Sequence, residues 1–124
     1  MKVASFILME DSNDNINLTS KTLPCAGYYR SYNILNTIAI HTHKLLGRIY
    51  LEGSLAQYPT EKDWFPIFID NKEYLEYDGS ELNKSEFYNI TNNLVNIRAR
   101  LDRSYIENLD PMKMGKITKI YLSF

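Results

Sequence analysis

"GRIYLEGSLAQYPTEKDWFPIFID", Gly47 to Asp70, is the stretch whose reading decides the fold. Successive side chains of an extended chain point to opposite sides. In the first seven residues Gly47, Ile49, Leu51 and Gly53 therefore share one face, and Arg48, Tyr50 and Glu52 share the other. The last six residues alternate in the same way: Phe65, Ile67 and Ile69 lie together, and Phe68 lies opposite. Between the two ends stand Ser54, Asp63 and Trp64, residue types common in catalytic and binding sites, around the turn-forming run "YPTEKD". The stretch reads as two half-buried strands and a connection.

The same period extends in both directions. "LVNIRARLD" sets Val95, Ile97, Ala99 and Leu101 against Asn96, Arg98, Arg100 and Asp102. "KITKIYLSF" sets Ile120, Leu122 and Phe124 against Lys119, Tyr121 and Ser123. "VASFILM" (Val3–Met9) and "ILNTIAIH" (Ile34–His41) are richer in apolar residues and predict interior strands, with shorter strands at "KEYLEY" and "EFYNIT". Turn signals such as "EDSNDN", "LPCAG", "YDGS" and "DPMKMG" separate them, and "SELNKSEF" and "SYIENLD" each suggest a short turn of helix. About eight short strands at this spacing predict an all-β fold, an antiparallel two-sheet β-sandwich or jelly roll spanning residues 1–124 as one domain, with a closed barrel as the competitor.

Bulk properties narrow the function classes. The chain has 124 residues, 44% hydrophobic and 23% charged, which is the composition of a globular domain. A formal net charge of -1 gives no field that would attract nucleic acid, and no apolar run reaches the length needed to cross a bilayer. "MKVASFILMEDSND" has too short an apolar region for a signal peptide and reads as a first strand. The expectation is a chain kept without secretion, in the cytoplasm or built into something larger. One cysteine, Cys25, excludes an internal disulfide and reads as a buried thiol. Ten tyrosines suit half-buried sheets and contact surfaces.

Candidate chemistry mostly dissolves. "HTH" puts His41 and His43 on one strand face, but they are the only histidines and no third ligand is patterned near them, so neither metal nor cofactor is expected. "EDSNDNIN" begins like a calcium loop and then fails, with Ile16 and Thr22 where glycine and glutamate are required. Ser54 lacks the second glycine of a nucleophile elbow, and Glu61 and Asp63 sit in a solvated turn. Binding is better supported. "GYYRSY" gathers Tyr28, Tyr29 and Tyr32 around Arg30, a combination that suits a glycan or a protein partner. Arg48, Tyr50, Phe68, Arg98, Arg100 and Tyr121 fall on the outward parity of their strands, with Arg103 grouped beside the last arginines, and form the candidate interface. Glu52, Asp63 and Glu107 are their expected counter-charges.

Taken together, "NTIAIHTHKLLGRIYLEGSLAQYPTEKDWFPI", "NLVNIRARLD" and "GKITKIYLSF" resemble the discoidin-like (coagulation factor type C, galactose-binding-like) β-sandwiches over Ile34 to Phe124. The resemblance implies that the Ser–Asp–Trp stretch joins two strands, with Trp64 as a core or near-core anchor and Asp63 as a turn residue. The cysteine pair and calcium loop of the secreted members are missing, and a leader is not expected. In composition the chain is similar to accessory virion proteins of tailed bacteriophages, small tyrosine-rich sandwiches that contact neighbouring subunits. These likenesses imply a non-enzymatic structural or interaction module with virion or scaffold proteins, or further copies of itself, as partners. A carbohydrate-binding module using the "GYYRSY" loop is the alternative.

Overall fold

The computed structural model describes residues 5–26, 35–91 and 93–124. Ten strands occur among them: β1 (Ser5–Glu10), β2 (Asn17–Thr19), β3 (Leu23–Pro24), β4 (Asn36–His43), β5 (Leu46–Ser54), β6 (Phe65–Pro66), β7 (Leu75–Asp78), β8 (Asn83–Ile90), β9 (Asn96–Asp102) and β10 (Lys116–Ser123). They form two antiparallel sheets, so the chain is the β-sandwich that the alternation predicts. One sheet runs β1-β10-β4-β8. The other is centred on the β9–β5 pair, with β2 and β3 both paired to β9, and β6 and β7 both paired to β5.

The inward faces build one core. Ile38 and Ile40 from β4, and Ile120 and Leu122 from β10, meet Ile49 and Leu51 from β5 and Ile97, Ala99 and Leu101 from β9, all at 1% exposure or less. Burying each large side chain stabilises the fold by roughly 1.5–3 kcal/mol, so this shared layer does most to hold the sheets together. Two bulges adjust the period. The β1–β10 register shifts between Ile7 and Met9, which lets the adjacent Leu8 and Met9 both be buried. The β10–β4 register shifts between Ile117 and Lys119, so Ile117 and Ile120, three residues apart, both reach the core.

Several expectations are corrected. Among the described residues β1 is an edge strand rather than an interior one. "SELNKSEF" enters β8 as strand and "SYIENLD" is a chain of turns; the helical turns lie instead at Glu61–Asp63 and Pro111–Lys113. "FPIFID" is strand only at Phe65–Pro66; the Ile67 N–H still donates to the Leu51 carbonyl (2.7 Å), and the chain then closes a small turn through the Ile69↔Lys72 bridge.

Arg103 also departs from the expected outward group. It is fully buried. Its Nε donates to the Leu46 carbonyl (2.9 Å), Nη1 to those of Asn13 (3.3 Å) and Asn15 (2.8 Å), and Nη2 to that of Gly115 (2.9 Å). One side chain thus joins the loop after β1, the start of β5 and the turn before β10. Gly115 is required there: its φ is +62°, and a Cβ would stand 1.9 Å from the Lys44 carbonyl oxygen.

Candidate functional site

The two outward faces differ in kind. On the β9–β5 sheet, cross-strand register sets Glu52 opposite Arg98, Tyr50 opposite Arg100 and Arg48 opposite Asp102. Each arginine is then taken up by neighbours. Arg98 bonds Glu52 (2.9 Å) and Glu61 (3.2 Å), and its guanidinium lies 4.3 Å from the Trp64 ring centre. Arg100 approaches Glu52 (3.6 Å) and stacks on Tyr50 (4.2 Å). Arg48 bonds Glu76 (2.8 Å) between the rings of Tyr74 (4.3 Å) and Tyr105 (3.8 Å). The Glu76 bond holds the Arg48 pKa above its ordinary value. Burial opposes the charge on Arg98, and the bonds to Glu61 and Glu52 outweigh it, so its pKa also rises.

The structure therefore brings four of the six interface candidates, Arg48, Tyr50, Arg98 and Arg100, into one array whose charges are spent on one another. Arg98 keeps its outward parity and is nevertheless only 9% exposed, because the Glu61–Trp64 segment folds over it. Glu52 is an expected counter-charge, and Glu61 and Glu76 replace the others. Asp63 is a turn residue, as expected, its Oδ2 accepting from the Thr60 N–H (2.7 Å) and hydroxyl (3.0 Å). Trp64 is half-buried over Arg98 and outside the central core cluster. Ser54 Oγ accepts from the Ala56 N–H (3.0 Å), and Asn96 Nδ2 donates to the carbonyls of Ala56 (2.7 Å) and Gln57 (3.3 Å). The Ser–Asp–Trp connection is thus held by local polar bonds.

The outward face of the other sheet carries no such array. Its registers place Ile7, Tyr121, Ala39 and Phe87 side by side, one from each strand, as a row without charge across the whole sheet. Ser5, Ser123, Thr37 and Asn89 form the next row, all small or neutral. Glu10, Lys119, His41 and Ser85 lie on the other side of the apolar row. His41 bonds Ser85 (2.8 Å) and His43 bonds Asn83 (3.0 Å) across the ladder, which accounts for both rings. Phe87 is 69% exposed, and Phe68, at 61%, shares with it a groove along β8.

Of the remaining candidates, Tyr121 lies in the middle of this apolar row and Phe68 near its end. Tyr28, Tyr29, Arg30 and Tyr32 lie outside the described residues. Sequence reasoning missed Ile7 and Phe87. The signal for Phe87 was its place among Asn83, Ser85 and Asn89 on the parity opposite Ile90.

No protein-family model, curated protein or solved structure matches the chain.

A cavity of about 200 Å³ opens between the sheets beside β7 and β8, lined by Thr42, Glu76, Asp78, Glu81 and Lys84 among others. Its acids are largely committed: Glu76 to Arg48, and Asp78 to the hydroxyl (2.5 Å) and N–H (2.9 Å) of Ser80, which hold the Asp78 pKa below its ordinary value. Among the described residues no three His, Cys, Asp or Glu side chains are placed to hold a metal ion. Cys25 is buried and donates to the Leu94 carbonyl (3.1 Å).

Proposed function

We propose that this chain is a non-enzymatic interaction module, a component of a larger assembly, acting through protein–protein contacts on the outward face of the β1-β10-β4-β8 sheet. The observation that carries the reading is the charge-free row Ile7–Tyr121–Ala39–Phe87, ending in a phenylalanine that is 69% exposed. Covering a phenylalanine side chain contributes roughly 1.5–3 kcal/mol, and aromatic anchors of this kind dominate contact energies. Ser5, Ser123, Thr37 and Asn89 beside the row are short enough to admit a close, flat partner. The opposite face has little left to offer a partner, since its arginines and carboxylates already pair. A virion is the assembly that the chain's composition suggests.

The test is sedimentation of the chain in extracts of its native source. The wild-type chain is expected in high-mass fractions, and Tyr121→Lys, which sets a charge in the middle of the row, is expected to move it to low-mass fractions with an unchanged circular dichroism spectrum. A wild-type chain found only as a single small species overturns the reading.

A further inference from the structure

Among the described residues the two sheets have four edges, and three are blunted. β1 is bulged between Ile7 and Met9. β2 and β3, three and two residues long, share one edge of β9. β6 and β7, two and four residues long, share one edge of β5, and β6 ends in Pro66. Short strands, bulges and proline are among the devices by which sheet proteins prevent pairing with another chain, as are charges on the edge. β8 has none of the first three, and its two charges, Lys84 and Glu86, lie 3.9 Å apart and face each other. It is eight residues long, free of proline, and paired in unbroken register with β4 from Asn83↔His43 to Ile90↔Asn36. Among the described residues no strand pairs with its other edge.

We propose that β8 pairs antiparallel with β8 of a second copy, about a two-fold axis at Phe87, to make one continuous eight-stranded sheet. The proposal rests on the reading of the chain as a contact module and names its partner. The strand's own sequence selects the register. Directly opposed residues of an antiparallel pair share a face, so a two-fold axis passes through a residue position. An axis at Glu86 would set two carboxylates against each other, which destabilises a pair. An axis at Ser85 leaves Phe87 opposite Asn83 and pairs little more than half the strand. An axis at Phe87 stacks the two exposed rings, sets Glu86 opposite Tyr88 and Ser85 opposite Asn89, opposes no like charges and uses Asn83 to Thr91. The exposed Phe68, beside Phe87 in the β8 groove, would border the joint.

Single cysteines test the register. At the axis two Cβ atoms stand within disulfide reach, whereas two copies of residue 85 would be about 13 Å apart along the strands. Phe87→Cys is expected to give a covalent dimer on mild oxidation, while Ser85→Cys and Asn89→Cys remain uncoupled; the wild-type chain, with Cys25 buried, is the control. Light scattering should give the wild-type chain twice the 14.5 kDa of one copy, and Phe87→Lys should halve that mass. Coupling through Ser85→Cys overturns the proposed axis. A dimer that no cysteine on β8 couples, or a monomer at every concentration, overturns the strand pairing. Neither result touches the contact-module reading, which the sedimentation of native extracts decides separately.

Discussion

Arg103 is fully buried with its hydrogen bonds all to peptide carbonyls, and burial lowers its pKa from the ordinary arginine value. Its worth lies in geometry: the planar fork reaches four oxygens on three separate segments at once, which a point-like ammonium cannot do. Hydrogen bonds to a charged group contribute more than neutral ones, and a buried carbonyl left without a donor costs the full desolvation of that group. Arg103→Lys should therefore lower stability by about 3 kcal/mol or more, read as a fall in the urea midpoint with an unchanged slope. An unchanged midpoint would mean that water reaches these carbonyls and that the guanidinium does not organise them. The residue was legible in principle. Ile97, Ala99, Leu101 and Arg103 share a parity, so the inward face of β9 runs straight into the arginine. Grouping it with Arg98 and Arg100 followed charge type instead of period, and charge type says nothing about which side of a strand a residue occupies.

At the scale of the element, β9 is covered on both sides, by the core on one and by Trp64, Glu61 and Tyr50 on the other. Trp64 is the only tryptophan in the chain, so its emission reports this cover directly. Arg98→Met removes the cation from the ring and leaves Glu52 without its shorter partner. It should shift Trp64 emission to the red and cost about 2 kcal/mol. If the spectrum does not move, the indole is held by its hydrocarbon neighbours and the guanidinium is incidental. The alternation that reveals β5, β9 and the later part of β10 is plain in the sequence because both sheets have one apolar face, and a period of two survives wherever the ladder is regular. It fails at the bulges, where Leu8 and Met9 are adjacent and yet both buried, whereas in "FPIFID" the alternation of burial outlasts the two-residue strand. An apolar-rich run such as "SFILM" looks like an interior strand, but its edge position is set by the order in which strands pair, and no local pattern encodes that order. The contact surface was half legible. Tyr121 and Phe68 showed on the outward parity of their segments, whereas the row through Ile7 and Phe87 exists only once four strands are in register.

Across the whole molecule, the sheets are also fastened by a polar bond, at the end where β7 faces β8. The Tyr77 hydroxyl donates to Glu86 from the opposite sheet, and Tyr88 donates to the other oxygen of the same carboxylate (2.5 Å). Burial first, and then the bond to Glu86, pushes both phenols above their ordinary value. This fastening lies on the inward side of a strand whose outer edge no described strand pairs, so β8 is held firmly while it remains available to a partner. An ordered edge adds little ordering cost to association. The sign of the pH dependence follows from the direction of the shift. A phenol whose pKa is higher in the folded state contributes stability that is present below the ordinary tyrosine pKa of 10.0 and is lost as pH rises through that value toward the folded one. Urea midpoints should therefore fall above about pH 10, while phenolate absorbance of the folded chain shows Tyr77 and Tyr88 still protonated as pH passes the ordinary tyrosine value. Glu86→Gln keeps an acceptor and removes the charge. It should lower stability at neutral pH and flatten the alkaline loss, because a phenolate no longer forms beside a carboxylate. If Tyr77 and Tyr88 ionise at the ordinary tyrosine value in the folded chain, the carboxylate does not join the sheets, and the order of β8 must come from β4 alone.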